Sequence, residues 1–129
     1  GDAMSTLKAD TIQSTGGGAA TLTKQSAAKQ WCHWNQDGTQ TIRDSFGISS
    51  LDDDGVGDSS LNYTSAMSDA NYVNIMNGAH FIGTAGGSVA YNTDNQTTTG
   101  SNVIRCLRID TQASYDSETT QSVVHGDLA

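Results

Sequence analysis

The chain has 129 residues and 13.5 kDa, with 14 acidic against 6 basic side chains, a formal charge of −8, no proline and 35% hydrophobic residues. That length suits one domain with a modest core, and the acidic balance argues against nucleic acid or anionic lipid as a partner. No run approaches the ~18 apolar residues of a membrane span, and no apolar leader marks secretion.

Ser, Thr, Asn and Gly are abundant while only 16% of residues are charged, which favours turns and half-polar strands over amphipathic helices. Among the acids, Glu118 is the single glutamate; the rest are Asp, a turn residue. The apolar share lies below the ~45–50% of ordinary domains. A core this thin calls for a supplement, whether disulfide, metal or subunit association.

In chain order, Gly1-Asp2-Ala3 read as a cloning remnant ahead of Met4, so residues 1–4 stand outside the fold argument. The run STLKADTIQ (Ser5–Gln13) alternates loosely around Leu7, Ala9 and Ile12 before Gly16-Gly17-Gly18 breaks it. Leu22 is then the only large apolar residue before Trp31. Such a segment cannot bury enough surface to order itself alone, so it is either disordered or laid against other copies of itself. TKQSAAKQ (residues 23–30) predicts a helix of about two turns, with Thr21 or Thr23 as its N-cap. Residues 5–30 thus form an arm and helical collar, and 31–129 a β head.

The head reads as short strands between turn clusters. WCHWN (31–35) runs to a hairpin signal at Asp37-Gly38. TIRDSFGISSL (41–51) carries Ile42, Phe46, Ile48 and Leu51, with Gly47 a bulge or bend. Asp52-Asp53-Asp54-Gly55 and Gly57-Asp58 form the next turn. SLNYT (60–64) places Leu61 and Tyr63 on one face, and YVNIM (72–76) sets Val73 and Ile75 opposite Tyr72 and Met76. His80-Phe81-Ile82 suggests a further strand. Gly83 to Asn102 reads as a long polar loop with only Val89 and Tyr91 standing out. VIRCLRI (103–109) is the strongest strand, and QSVVH (121–125) closes the domain. Regular short strands and turns imply an antiparallel sandwich or barrel-like head.

Chemistry-bearing patterns are weak. Setting Gly55 at position 6 of an EF-hand loop puts Ser50, Asp52 and Asp54 at positions 1, 3 and 5, but Leu61 at 12, where a bidentate Glu belongs. A solvated turn is the better reading, with a calcium site of another type as the alternative. His33, His80 and His125 share no zinc-ligand spacing with Cys32 and Cys106. They read as strand-face residues, unless one from each of three chains meets on an axis. The cysteines read as two buried thiols, with a disulfide as the alternative. There is no Gly-x-Ser-x-Gly, and Cys32 and His33 point to opposite faces of a strand. Gly16-Gly17-Gly18 lacks the Lys of a phosphate loop. No catalytic, cofactor-binding or metal-binding residue is assigned, and no cofactor is expected.

The phrases STLKADTIQ, GGGAATLTKQSAAKQW and HWNQDGTQTIRDSFGISSLDDDGVGDSSLNYTSAMSDANY resemble tail-fibre-type virion proteins of marine bacteriophages, of the cyanophage and pelagiphage kind. The likeness continues through SNVIRCLRIDTQASYDSE to QSVVHGD, while residues 77–100 match nothing in it. Where that family has Asn-Phe-Asn-Gly, this chain has His33-Trp34-Asn35-Gln36; where it has Phe-Asn-Val-Ser, this chain has Phe46-Gly47-Ile48-Ser49. The resemblance implies a non-enzymatic tail-fibre or fibre-tip component, assembled in the host cytoplasm into a virion. It also implies a homotrimer that contacts other tail proteins. The fold expectation is then an all-β, jelly-roll-like sandwich with an extended arm. Threefold packing would bury what one thin core cannot, with Leu7, Ile12, Leu22 and Trp31 as candidate interface residues. The alternative function is a module reading host surface glycans. Aromatics flanked by Asn and Asp suit sugars, which selects Tyr91, Asn92, Asp94 and Asn95 in the polar loop, and Trp34. Neither nucleic acid binding nor membrane insertion is expected.

Overall fold

The computed structural model describes residues 6, 8–18, 27–79 and 88–129, with the backbone alone at 79 and 94–96. Among the described residues eight strands follow one another: β1 (Gln30–Asn35), β2 (Thr41–Phe46), β3 (Ile48–Gly55), β4 (Asp58–Tyr63), β5 (Val73–Ala79), β6 (Ser88–Thr97), β7 (Ser101–Arg108) and β8 (Thr119–His125). They form two four-stranded sheets, ordered β2-β1-β8-β5 and β3-β4-β7-β6. Every pairing is antiparallel. No helix occurs among the described residues.

Alternation explains the layering. In β1, Gln30, Cys32 and Trp34 are buried while Trp31, His33 and Asn35 face outward. Ser59, Leu61 and Tyr63 of β4, Asn102, Ile104 and Cys106 of β7, and Thr120, Ser122 and Val124 of β8 turn inward in the same way. Cys32, Trp34 and Val124 from one sheet meet Leu61, Tyr63 and Ile104 from the other, with Met67 beside them. This is a sandwich-like arrangement around one small core.

Among the described residues, about half of the buried side chains are polar. Ser59 is the hub: its Oγ accepts from Trp34 Nε1 at 3.0 Å and Gln36 Nε2 at 2.9 Å, and donates to Gln40 Oε1 at 2.5 Å. Gln36 Nε2 also donates to the Gly57 carbonyl at 2.9 Å, and Gln36 Oε1 accepts from Ser117 N at 3.0 Å. Buried polar groups satisfied in this way replace apolar contacts that the composition does not provide.

The structure corrects several sequence expectations. TIRDSFGISSL does bend at Gly47, as its sequence predicts, but the bend is sharp enough to end β2 and open β3. At Gly47 (φ 71°) the chain turns a corner from the first sheet into the second, where a Cβ would stand 3.1 Å from the Lys29 carbonyl oxygen. The collar helix is not found at its described end: Lys29 N donates to the Val124 carbonyl at 2.8 Å and Gln30 opens β1. Residues 23–26 of that expectation, and His80-Phe81-Ile82, lie outside the described residues. The polar loop proposed for 83–102 holds a strand, β6, because pairing with β7 satisfies its backbone without apolar side chains. Asp52, Asp53 and Asp54 belong to β3, and the tight turn is Val56-Gly57.

Candidate functional site

With the inward faces committed to the core, the two outward faces are what the head offers to partners. They differ in chemistry.

The second sheet presents a mixed face, polar around Asp58 and Arg105 and apolar where Val89, 46% exposed, stands opposite Leu107. Asp58 of β4 and Arg105 of β7 are register partners, and their side chains form a two-pronged ion pair, both contacts at 2.6 Å. Tyr91 of β6 is the next residue in that row, opposite Arg105, and lies against its guanidinium. Beside the row, Asp54, Asp58, Ser60, Thr98, Ser101, Val103 and Arg105 line an open cleft of about 530 Å³. Further along, Asn62 Nδ2 donates to Asp52 Oδ2 at 2.8 Å and to Ser50 Oγ at 2.9 Å. An aromatic ring, a guanidinium and carboxylates on one twisted sheet can hydrogen-bond and stack on a hydroxyl-rich ligand.

Of the five candidate receptor residues, Tyr91 lies on this face. Asn92 alternates inward, where its Nδ2 donates to Asn102 Oδ1 and, at 3.2 Å, to the Val103 carbonyl. Asp94 and Asn95 fall within β6, their side chains outside the described part. Trp34 is corrected outright: it is 0% exposed and anchored to Ser59, so its ring is a core element and not a contact surface. Asp58 and Arg105 escaped the sequence reading because 47 positions separate them, and only the strand register joins them.

The first sheet presents an apolar face. One register row crosses all four strands, Phe46 of β2 opposite Trp31 of β1, Trp31 opposite Val123 of β8, and Val123 opposite Ile75 of β5. Val73 extends it beside His125. Ile75 is 62% exposed, Val73 58% and Phe46 56%. His33 also lies on this face, opposite Asp44. Among the interface candidates, Trp31 belongs to this row and Ile12 is exposed on the arm, while Leu7 and Leu22 lie outside the described residues.

The reactive groups point away from site chemistry. Burial pushes the Cys32 thiol up to about 12 and the Cys106 thiol up to about 11, the latter despite a contact with the Thr120 hydroxyl. Both cysteines are free and buried, as the two-thiol reading expects. Asp52, Asp53 and Asp54 do not converge on a cation. Asp53 accepts from Gln40, whereas Asp52 and Asp54 accept from Asn62 and Ser60. Among the described residues no group of three His, Cys, Asp or Glu side chains is placed to hold a metal ion. No helix of the described residues is long and apolar enough to cross a membrane.

Compared with known proteins, the chain matches no family model, no curated protein and no solved structure.

Proposed function

We propose that this chain is a non-enzymatic structural and attachment component of a phage virion, a tail fibre or fibre tip, assembled in the host cytoplasm. Its jelly-roll-like heads act as a homotrimer and contact other tail proteins. The support is the likeness of STLKADTIQ and of the Trp31–Tyr72 phrase to tail-fibre-type virion proteins, joined to one structural observation. That observation is a head whose four-strand apolar row and whose Asp58–Arg105–Tyr91 row lie on the outer sides of different sheets. A subunit that must both assemble and present a contact surface needs such a division. Protein analysis of purified particles from a phage encoding this chain tests the reading. Recovery of the chain in stoichiometric amounts is the expected result, and particles lacking it refute the assignment.

A second reading, favoured by the Tyr91–Arg105–Asp58 row, makes the head a carbohydrate-binding module for host surface glycans. Tyr91→Ala would weaken glycan binding by about tenfold, the size of one lost stacking contact. A glycan array with no binding by any oligomer removes it.

A further inference from the structure

From the apolar row of the first sheet, and resting on the proposed homotrimer, we infer that this face turns toward the threefold axis and packs against the neighbouring copy. The occupant follows from charge and area.

The chain carries −8, so two copies repel wherever acids face acids. The second sheet's outer side bears Asp52, Asp54 and Asp58, against Arg105. The first sheet's outer side bears Asp44, together with Arg43, whose guanidinium reaches Thr119 Oγ1 at 3.3 Å across β1. The apolar face is therefore the near-neutral side of an acidic molecule. It is also where Trp31, Val73, Ile75 and Val123 share one surface, although the whole chain is only 35% hydrophobic. In so poor a chain, an outward row spanning every strand of a sheet marks an interaction surface.

Area decides how much this face contributes. Four strands at ~4.8 Å spacing and about six residues at ~3.3 Å give roughly 400 Å² per copy. A stable interface buries about 800 Å² per partner. The face thus supplies about half of a lasting contact. The arm, exposed at every described position from 8 to 18, is the available source of the rest.

Sedimentation of the full chain across a concentration series tests this. Wild type is expected to sediment as a trimer, and a dimer overturns the threefold packing. Ile75→Asp, on an exposed edge strand, is expected to raise the dissociation constant by about 100-fold, through an unpaired charge in an apolar contact. Val56→Asp, equally exposed at 61% but in the β3–β4 turn, is expected to leave assembly unchanged. Near-UV circular dichroism verifies the fold, and Ile75→Thr, which keeps the β-branch, gives a shift of about tenfold should the charged variant unfold. An oligomer insensitive to both Ile75 substitutions but lost on removing residues 1–22 overturns the face and leaves assembly to the arm. A wild-type monomer at every concentration overturns both the face and the trimer.

Discussion

Ser59→Ala tests whether polar groups hold this core together. Ser59 Oγ makes three hydrogen bonds, and its loss strikes the three partners unequally. Trp34 Nε1, in a residue with no exposure, loses the acceptor at 3.0 Å. Gln36 Nε2 keeps the Gly57 carbonyl at 2.9 Å, and Gln40 keeps its contacts with Asp53 and Asp58. One stranded buried donor costs ~1–3 kcal/mol, and the weakened glutamines add a smaller amount. The expected destabilisation is about 2–4 kcal/mol, lowering the melting temperature by roughly 10 °C. Urea unfolding followed by tryptophan fluorescence reads it. Trp34→Phe removes the donor itself, so the double variant recovers about 1–2 kcal/mol relative to additivity. A Ser59→Ala protein within about 0.5 kcal/mol of wild type, or strict additivity with Trp34→Phe, refutes the account.

Gly57 and Gly38 both have positive φ, at 76° and 68°, but a Cβ at Gly57 would lie 2.6 Å from the Cys106 carbonyl oxygen, while one at Gly38 meets nothing within 4 Å. Gly57→Ala is expected to cost about 3 kcal/mol or more and Gly38→Ala about 1 kcal/mol, so equal denaturation midpoints contradict the packing. The unfolded thiols ionise near 9.0, whereas burial holds Cys32 protonated to about 12 and Cys106 to about 11. The unfolded state therefore releases protons first, and stability falls as pH rises above about 9. Tyr63, also raised by burial, adds to the loss above its ordinary 10.0. An unfolding midpoint unchanged between pH 8 and pH 10.5 opposes this. A disulfide-exchange thiol reagent at pH 8 should label neither cysteine until denaturant is added; immediate labelling of either shows that the thiol is accessible.

Strands with apolar alternation were legible because local order writes it. Leu61 with Tyr63, and Ile104 within VIRCLRI, are buried as the period of two requires. The same period paired Val73 with Ile75, yet only the sheet order reveals that this pair faces outward. β6 carries no apolar signature because its pairing energy lies in the backbone, which every sequence shares. Trp34 looks like a sugar contact from sequence because indoles serve both cores and sugar sites, and Ser59, which decides the matter, lies 25 positions away. Gln36 binds Ser117 across 81 positions, so no local rule marks either as interior. The polar site was half visible. Tyr91 stood out as an aromatic, whereas Asp58 and Arg105 acquire meaning only through register.

The placement of β8 between β1 and β5 has a consequence for synthesis. The first strand of the head cannot complete its pairing until the last has left the ribosome, since Trp31 waits for Val123 and Ile75 for the same residue. Until then the β1–β2 hairpin and β5 each keep an open edge where β8 will pair. Pairings of such sequence separation also close slowly, on a scale of milliseconds to seconds. The head is therefore finished in two stages: β3-β4-β7-β6 can pair before β8 emerges, and the first sheet closes last, when β8 enters between β1 and β5.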